Sequence, residues 1–480
     1  MPRRTAGKPN HLAFRDFLSR PVLIAMTESM LQTGFSLEAF EQFLSPRREP
    51  AWLTLSRKEA WDAFEELPFP DRSLEEWRRT DLRLFRLSAF GLPGFEPTPS
   101  DKPATSTLTA AVHHAREQPS RGGLLEQNVE LAGRVLAEDS RPIHDELDQP
   151  WRERGVVFSS LDAAVREQSD LLKHHFLSPI VDPRSDKFAA LHAACWSGGT
   201  LLYVPPGVRV DQPLYTRSQL SPGQVDFGRT VVILGEGAEA TLLAETASVD
   251  PAAPGLHCGA IEIRVGPRAK LRYVNLQNWG SGVWHFAHQR ALVDRDAQLQ
   301  WTMGALGSRL AKVNQHVALI GPGAEAQVNG VMFTEGKQHL SYHTLQHHQA
   351  PHCKSDLLYK GALQDQSHLV WRGMIRVDRD AQKTDGYQRN DNLILSDTVR
   401  VDSIPGLEIL ADDVKCTHGA TSGRVDDEQI FYGRTRGLTR KEAVRMIVAG
   451  FFQQVFDRIT IESVRDALGE AIGRRVRECD

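Results

Sequence analysis

Cys416 and His418 stand two residues apart in the run CTHGAT. In an extended segment that spacing projects a thiol and an imidazole from one face. Both groups are good ligands for iron or zinc, so the pair is a candidate cofactor-binding site with His418 as a candidate metal ligand. A small buried thiol beside a histidine bonded to a turn is the competing reading. The densest polar cluster lies upstream in HLSYHTLQHHQAPHC, which holds His339, His343, His347, His348, His352 and Cys353. A strand would put His339, His343 and His347 on one face and His348 and His352 on the other. His347, His352 and Cys353 are the further metal candidates, suited to metal or sulfur traffic. The run has no zinc-finger spacing and no nearby carboxylate, so an exposed or partner-contacting polar row stands beside that reading. No residue set marks a catalytic centre. The chain has no phosphate-binding Gly-x-x-x-x-Gly-Lys loop, no Gly-x-Ser-x-Gly elbow and no His-Glu-x-x-His pair. GEGAEA and GPGAEA lack dinucleotide-loop spacing and read as structural turns.

The elements that must position these residues have strand character. From about 185 to 424, runs such as TLLYVPPGVRV, RTVVILGEGAEATLLAE and AKLRYVNLQNW are β-branched or aromatic with short-period alternation, broken by Gly or Asp turns. A turn-x-x-Ala-polar-x form recurs with Ala238, Ala269, Ala297, Ala324 and Ala381. The gaps are 31, 28, 27 and 57, the last about two units, so a diverged copy is expected near Pro351–Lys354. One such unit cannot bury its apolar face alone, whereas stacked coils share a core and hydrogen-bond along the stack. A propeller repeats at roughly 40–50 residues and a sandwich has no fixed turn repeat. The expected fold is mainly β, a right-handed parallel β-helix of stacked coils flanked by N-terminal and C-terminal helical regions.

Residues 1–184 read as mainly helical, with a loose Pro, Gly, Ser and Thr-rich linker near 92–125. Ser56 and Glu59 predict a capping box for a helix over 56–66, and Ser73 with Glu76 predicts another over 73–82. SSLDAAVREQSDLLKHHF predicts one amphipathic helix over 159–176. From 425 to 480 a C-terminal helical domain is expected. Asp426 and Gln429 open its first helix, Gly437 ends it, and Thr439 with Glu442 caps the second. That second helix carries Val444, Ile447, Val448, Phe451, Phe452, Val455 and Phe456, a face wide enough to serve its own domain and a partner. RVRECD at the end is expected to fray.

Bulk properties narrow the function. A chain of 480 residues is too long for one compact core. Charge is nearly balanced, 57 Lys plus Arg against 61 Asp plus Glu, which argues against a nucleic-acid binder. No stretch approaches the ~18–20 apolar residues of a membrane span, and the basic start MPRRTAGKP lacks the apolar run of a secretory signal. A cytoplasmic protein with no membrane partner is expected. Five scattered cysteines, Cys195, Cys258, Cys353, Cys416 and Cys479, without a Cys-x-x-Cys, give no framework for disulfides or for a resident Cys-ligated cluster.

Several segments together resemble the SufB/SufD family, scaffold subunits of an iron–sulfur cluster assembly machine. EPAWLTLSRKEAWDAF and LPFPDRSLEEWRRTDL are similar to its N-terminal signature, and DKFAALHAACWSGGTLLYVPPGVRVDQPL to the opening of its β-helix. QNWGSGVWHF and MGALGSRLAKVNQ resemble its middle. HTLQHHQAPHCKSDLLYKGALQDQSHLVWRGMIRV, AQKTDGYQRNDNLILSD and SIPGLEILADDVKCTHGAT resemble its last coils. The long N-terminal region, PHCKSDLLYKG and CTHGAT look more like the SufD branch. In SufB the His418-Gly419 turn typically reads His-Glu, and a cysteine implicated in assembly falls where this chain has Asn390. The resemblance implies a noncatalytic SufD-like subunit that pairs with a SufB-like paralogue through the β-helix and docks a SufC-like ABC-type ATPase through its C-terminal helices. It also implies a transient Fe–S cluster at the subunit interface, no tightly bound cofactor, and a homodimer as one state of the isolated chain. His418 falls on the SufD histidine proposed to assist cluster assembly. Two other classes remain open: a carbohydrate-active β-helix enzyme, and a purely structural coil stack that binds a partner.

Overall fold

The computed structural model describes residues 34–93, 123–177 and 179–476. The basic start, most of the expected linker, Cys479 and the last residues of RVRECD lie outside them. The described residues form nine α-helices and twenty strands. The helices are α1 (Leu37–Leu44), α2 (Ala51–Glu66), α3 (Gln149–Glu153), α4 (Leu161–Glu167), α5 (Ser169–Leu177), α6 (Lys187–Cys195), α7 (Asp427–Thr435), α8 (Arg440–Phe456) and α9 (Glu462–Arg475). The first ten strands are β1 (Gly133–Glu138), β2 (Arg141–Leu147), β3 (Val157–Ser160), β4 (Gly199–Val204), β5 (Leu214–Leu220), β6 (Val225–Asp226), β7 (Arg229–Leu234), β8 (Glu239–Ser248), β9 (Gly255–Val265) and β10 (Lys270–Asn278). The rest are β11 (Val283–Val293), β12 (Gln298–Ala305), β13 (Leu310–Leu319), β14 (Glu325–Thr334), β15 (His339–His348), β16 (Lys354–Leu363), β17 (His368–Val377), β18 (Asp385–Ile394), β19 (Arg400–Ile409) and β20 (Lys415–Arg424).

From β7 onward, successive strands fall alternately in two sheets. One runs β2-β1-β5-β8-β10-β12-β14-β16-β18-β20, the other β19-β17-β15-β13-β11-β9-β7-β4-β3, with β6 beside β9. Neighbouring strands are parallel except for the β1–β2 and β3–β4 pairs. This is the expected stack of coils, a parallel β-solenoid with helices at both ends. Leu299, Trp301 and Met303 of β12 and Leu357, Tyr359 and Leu363 of β16 point into its fully buried interior.

The turn alanines explain the repeat. Ala238, Ala269, Ala297 and Ala324 are all fully buried, each just before a strand of the first sheet. They stack: Lys270 N donates to Ala238 O, Gln298 N to Ala269 O, Glu325 N to Ala297 O and Lys354 N to Ala324 O. The diverged copy is Cys353, whose carbonyl accepts from Asp385 N. Ala381 departs from the expectation. Its turn is the same, but three more residues follow before β18, and Thr384 takes the stacked place with its carbonyl bonded to Lys415 N. The side chain of a stacked alanine has no free volume, so Ala297→Leu is expected to cost about 1–3 kcal/mol of stability by overpacking. A urea titration beside the unsubstituted chain would measure it, and an unchanged midpoint would count against tight stacking here.

The flanks differ from the sequence expectation in several places. Residues 1–184 are not uniformly helical, because β1, β2 and β3 extend both sheets. GRVLAE shows strict period-two burial, and a short strand laid on β5 gains ladder bonds that a lone strand lacks. The helix expected to open at Ser56 starts at Ala51, after Pro50. No helix forms over 73–82. Ser73 instead donates its N–H to Asp71 Oδ1 at 2.8 Å in a local turn, and Trp77 stacks on Phe188 at 5.6 Å. The helix expected over 159–176 breaks at Gln168 into α4 and α5, which keep Leu161, Val165, Leu172 and Phe176 buried together. At the other end Asp426 caps α7, Gly437 follows it with φ 93°, and the Thr439–Glu442 capping box of α8 is present.

The helices cover opposite faces. Phe40, Trp61, Trp77, Phe85 and Phe188 pack on Phe227, Leu256, Trp284 and Phe286, the outer face of the second sheet. Val444, Val448, Phe452, Val455 and Leu468 pack on Leu243, Val274, Leu276, Phe333 and Leu358, the outer face of the first. Gly304 permits this contact, since a Cβ there would lie 2.8 Å from Leu276 Cδ1 and 3.3 Å from Leu468 Cδ2. No helix among the described residues is long and apolar enough to cross a membrane.

Candidate functional site

The stack ends in an open coil. β19 pairs only with β17 and β20 only with β18, so each sheet finishes in an edge strand. Most residues of these two strands are half-buried or exposed, unlike those of the preceding coils. Pro405 sits in β19, where the missing N–H is tolerated because the strand is an edge. Leu407, Ile409 and Leu410 stand exposed along the same rim.

Register decides where Cys416 and His418 point. Cys416 lies opposite Gly386, and His418 opposite Gln388. Gln388 is fully buried inside the previous coil, its Nε2 donating to Gly406 O at 2.9 Å. Cys416 and His418 therefore face the coil interior, and among the described residues no further coil closes over them. Cys416 packs on the small cluster of Ile375, Val377, Ala381 and Ala411. Burial pushes its thiol pKa up, so at neutral pH it is a protonated thiol that must lose its proton to ligate a metal. His418 is exposed and makes no hydrogen bond or ion pair among the described residues, leaving both ring nitrogens available.

The floor beneath this rim is polar. Asn390 Nδ2 donates to Tyr359 O at 3.2 Å, while its Oδ1 accepts from Asn392 Nδ2 at 2.8 Å and Ser403 Oγ at 2.6 Å. Gln388 Oε1 and Asn392 Oδ1 remain buried without a donor. Asn390 is thus a fully engaged structural group at the position where the resemblance had raised a cysteine.

The histidine-rich strand does not gather into one site. His347 lies on the outer face of β15, with Nε2 against Asp378 Oδ1 at 3.0 Å and Nδ1 against Gln349 Nε2 at 3.0 Å. His348 points inward to Ser355 Oγ at 2.8 Å, and burial brings its pKa down to about 4. His352 is exposed in the following turn with φ 61°. Cys353 is buried in the stacked turn, its Sγ 3.3 Å from Gly321 O, and burial raises its pKa. No three His, Cys, Asp or Glu side chains among the described residues are arranged to hold a metal ion.

A second exposed feature lies on the C-terminal helices. Phe431 and Tyr432 of α7 and Met446 of α8 stand exposed, with Arg436 over the Tyr432 ring at 5.1 Å. The wide apolar face of α8 is otherwise spent on the first sheet. Phe431-Tyr432 follows Ile430 directly in the sequence, but only the structure separates the buried Ile430 from the two exposed rings. The apolar rim of β19 was not singled out there, although its alternating GLEIL pattern carried the signal.

Comparison with known proteins bears on this arrangement. Residues 216–451, from β5 through most of α8, match the family described as SUF system FeS cluster assembly, SufBD core domain. An iron-sulfur cluster assembly SufBD family protein of Staphylococcus saprophyticus is 31% identical over 333 residues, covering 69% of this chain and 71% of that protein. Proteins of the same description from Staphylococcus haemolyticus and Staphylococcus aureus are each 27% identical over 434 residues, covering 90% of this chain and 91% of theirs. With its stacked coils, terminal helices and this match, the chain belongs to the SufBD family of iron–sulfur cluster assembly proteins.

Proposed function

We propose that this chain is a SufD-like scaffold subunit. Its terminal coil joins edge to edge with a SufB-like paralogue, and α7 and α8 dock a SufC-like ATPase. The open coil carries the reading. Two edge strands with unpaired backbone groups and exposed Leu407, Ile409 and Leu410 form a surface that a soluble monomer would ordinarily blunt. Covering it with another β-helix would continue both sheets and place His418 at the junction. Iron and sulfide arrive there as cargo. The unpartnered imidazole of His418 can donate a lone pair to iron while the partner supplies thiolates. The single thiol of Cys416 is protonated and half-buried, which makes it the weaker ligand. Phe431 and Tyr432, rigid aromatic side chains with a polar hydroxyl on Tyr432, have the character of anchors at a protein interface. On this reading the chain carries out no chemistry alone.

The test is co-expression with the paralogue and the ATPase under anaerobic conditions. His418→Ala is expected to leave the complex assembled and hydrolysing ATP while cluster formation, read as bound iron and sulfide, falls several-fold. His347→Ala, whose two ring nitrogens are already engaged, serves as control. Replacing Phe431 and Tyr432 by alanine is expected to weaken ATPase binding by about 2 kcal/mol or more per residue without unfolding the chain. Undiminished cluster yield in an intact His418→Ala complex would remove the histidine from the assembly step. Unchanged ATPase affinity in the aromatic double variant would move that interface elsewhere.

A further inference from the structure

A cleft of about 430 Å³ lies on the outer face of the second sheet and reaches the edge strand β19 at Glu408. Glu76 and the loop around Asp182 stand beside it, and β11, β13, β15 and β17 form its floor. In register, His288, Asn314, His343 and Arg372 make one row across these strands. The next row in the same direction is Arg290, His316, Leu345 and Met374. The floor contributes donors and cations and no carboxylate; Glu76, Asp182 and Glu408 come from the flanking segments and the edge strand.

The floor donors are under-used. Arg372 and His343 make no hydrogen bond or ion pair among the described residues. His316 Nε2 and Arg290 Nε are buried without a partner, although Arg290 Nη1 donates to Ile180 O at 2.9 Å. Nearby, Lys312 is almost fully buried on β13 and its Nζ also lacks a hydrogen-bond partner. A buried unpaired donor costs about 1–3 kcal/mol, so such a concentration marks a place built to be filled. The charges acting on the two floor histidines are cationic, while over the whole lining Glu76, Asp182 and Glu408 balance Arg290, Arg372 and Arg376. Burial and the charges of Arg290, His347 and Arg376 hold His316 neutral, down to about 3; burial with Lys312, Arg372 and Arg79 does the same to His343. A neutral imidazole still donates one N–H, and the surrounding positive charge favours an anion as its acceptor.

We propose that this cleft binds a small phosphate-bearing organic anion, its phosphate held by Arg372, Arg290, His316 and His343 and its apolar part resting on Leu345 and Met374. Arg290 and Arg372 flank the two histidines from β11 and β17. Two guanidiniums and two imidazoles suit a phosphate, which offers one more acceptor oxygen and more negative charge than a carboxylate. Leu345 and Met374 in the second row give an adjoining apolar surface. The volume is that of a small-ligand pocket. The remaining cation, Arg376, is already paired with Asp378 at 3.4 Å and Glu408 at 3.9 Å and is left as a wall.

Isothermal titration of the purified full chain at low salt tests this, with phenyl phosphate, inorganic phosphate and benzoate as separate probes. Phenyl phosphate is expected to bind with a Kd of about 1 mM or tighter, inorganic phosphate more weakly, and benzoate not measurably. Arg372→Ala removes a side chain without a partner, so the fold should survive, as circular dichroism would verify. It is expected to weaken phenyl phosphate binding about 10- to 100-fold, the size of a lost hydrogen bond to a charged group. Arg372→Lys, which keeps the charge and loses the fork, should fall between. Arg209→Ala, an exposed arginine in the β4–β5 connection beside the other sheet, should change nothing. Absence of phosphate-probe binding overturns the proposal, as does equal binding by Arg372→Ala and Arg209→Ala. Benzoate binding as tight as phenyl phosphate overturns the phosphate assignment. None of these outcomes decides the scaffold reading, which rests on the open end of the stack and is tested there by His418→Ala.

Discussion

Lowering the pH from 7 to 5 is expected to remove much of the stability of this fold before the carboxylates titrate. His192, His257, His285 and His348 are buried in or against the solenoid, and burial lowers the pKa of each, to about 4 for His348. His257 and His285 meet Nδ1 to Nδ1 at 2.7 Å, so one ring donates and the other accepts, and protonating the acceptor breaks that bond. In the unfolded chain each imidazole titrates near 6.5. Between the folded and unfolded values the unfolded chain binds more protons. The stabilisation is therefore complete above about pH 6.5 and is lost as the pH falls through that window. For His348 the loss at pH 5 is about 2 kcal/mol, and the other three histidines act in the same direction against a typical total of about 5–15 kcal/mol. Burial works against ionised Glu262 and Asp186, but Arg229 with His175 and His288 hold both below the usual carboxylate range, so their contributions persist to lower pH. Urea titrations followed by tryptophan fluorescence at pH 7 and 5 should show a clear drop in midpoint, shallower in a His348→Gln variant. Equal midpoints at both pH values would refute this account of the polar interior.

Removal of residues 425–480 is expected to unfold or aggregate the chain, whatever it does to partner binding. The helices of this segment are a wall of the fold. Val444, Val448, Phe452, Val455, Phe456, Leu468 and Ile472 are buried against the outer face of the first sheet. Each such side chain contributes roughly 1.5–3 kcal/mol by leaving water, and deletion also bares Val274, Leu276, Val331, Phe333 and Leu358 on parallel strands. A sheet face of that kind is an aggregation surface. Phe452→Ala alone is expected to cost about 3–5 kcal/mol, whereas Phe431→Ala on the exposed side should stay within about 0.5 kcal/mol. Thermal melts of the two variants and the solubility of the truncation give the comparison. A soluble truncation with the melting temperature of the full chain would contradict the packing. ATPase docking is therefore better probed by exposed-face substitutions than by deletion.

Much of the architecture was legible because a coil stack writes its period into the chain. The alanines at 238, 269, 297 and 324 are small because each coil turn presses directly on the next, and that demand repeats with each coil. The failure at Ala381 has the same cause: the sequence shows the turn, whereas the stack selects whichever residue reaches the buried place, here Thr384. Capping chemistry is equally local, so the Thr439–Glu442 box could be read directly, while Ser73 was misleading because Asp71 offered it a competing bond.

By itself, the sequence determined the coil repeat, the helical cap after Asp426, the shared face of Cys416 and His418, and the family signature. These depend on spacing along one chain. Only the tertiary structure decided that this shared face looks into an open coil, that the histidine-rich strand divides between the interior and the outer surface, and that Arg372 and His343 stand beside Arg290 and His316. Those residues are 26 to 82 positions apart and become neighbours through strand register. A one-residue change of register would turn each to the other side of its sheet.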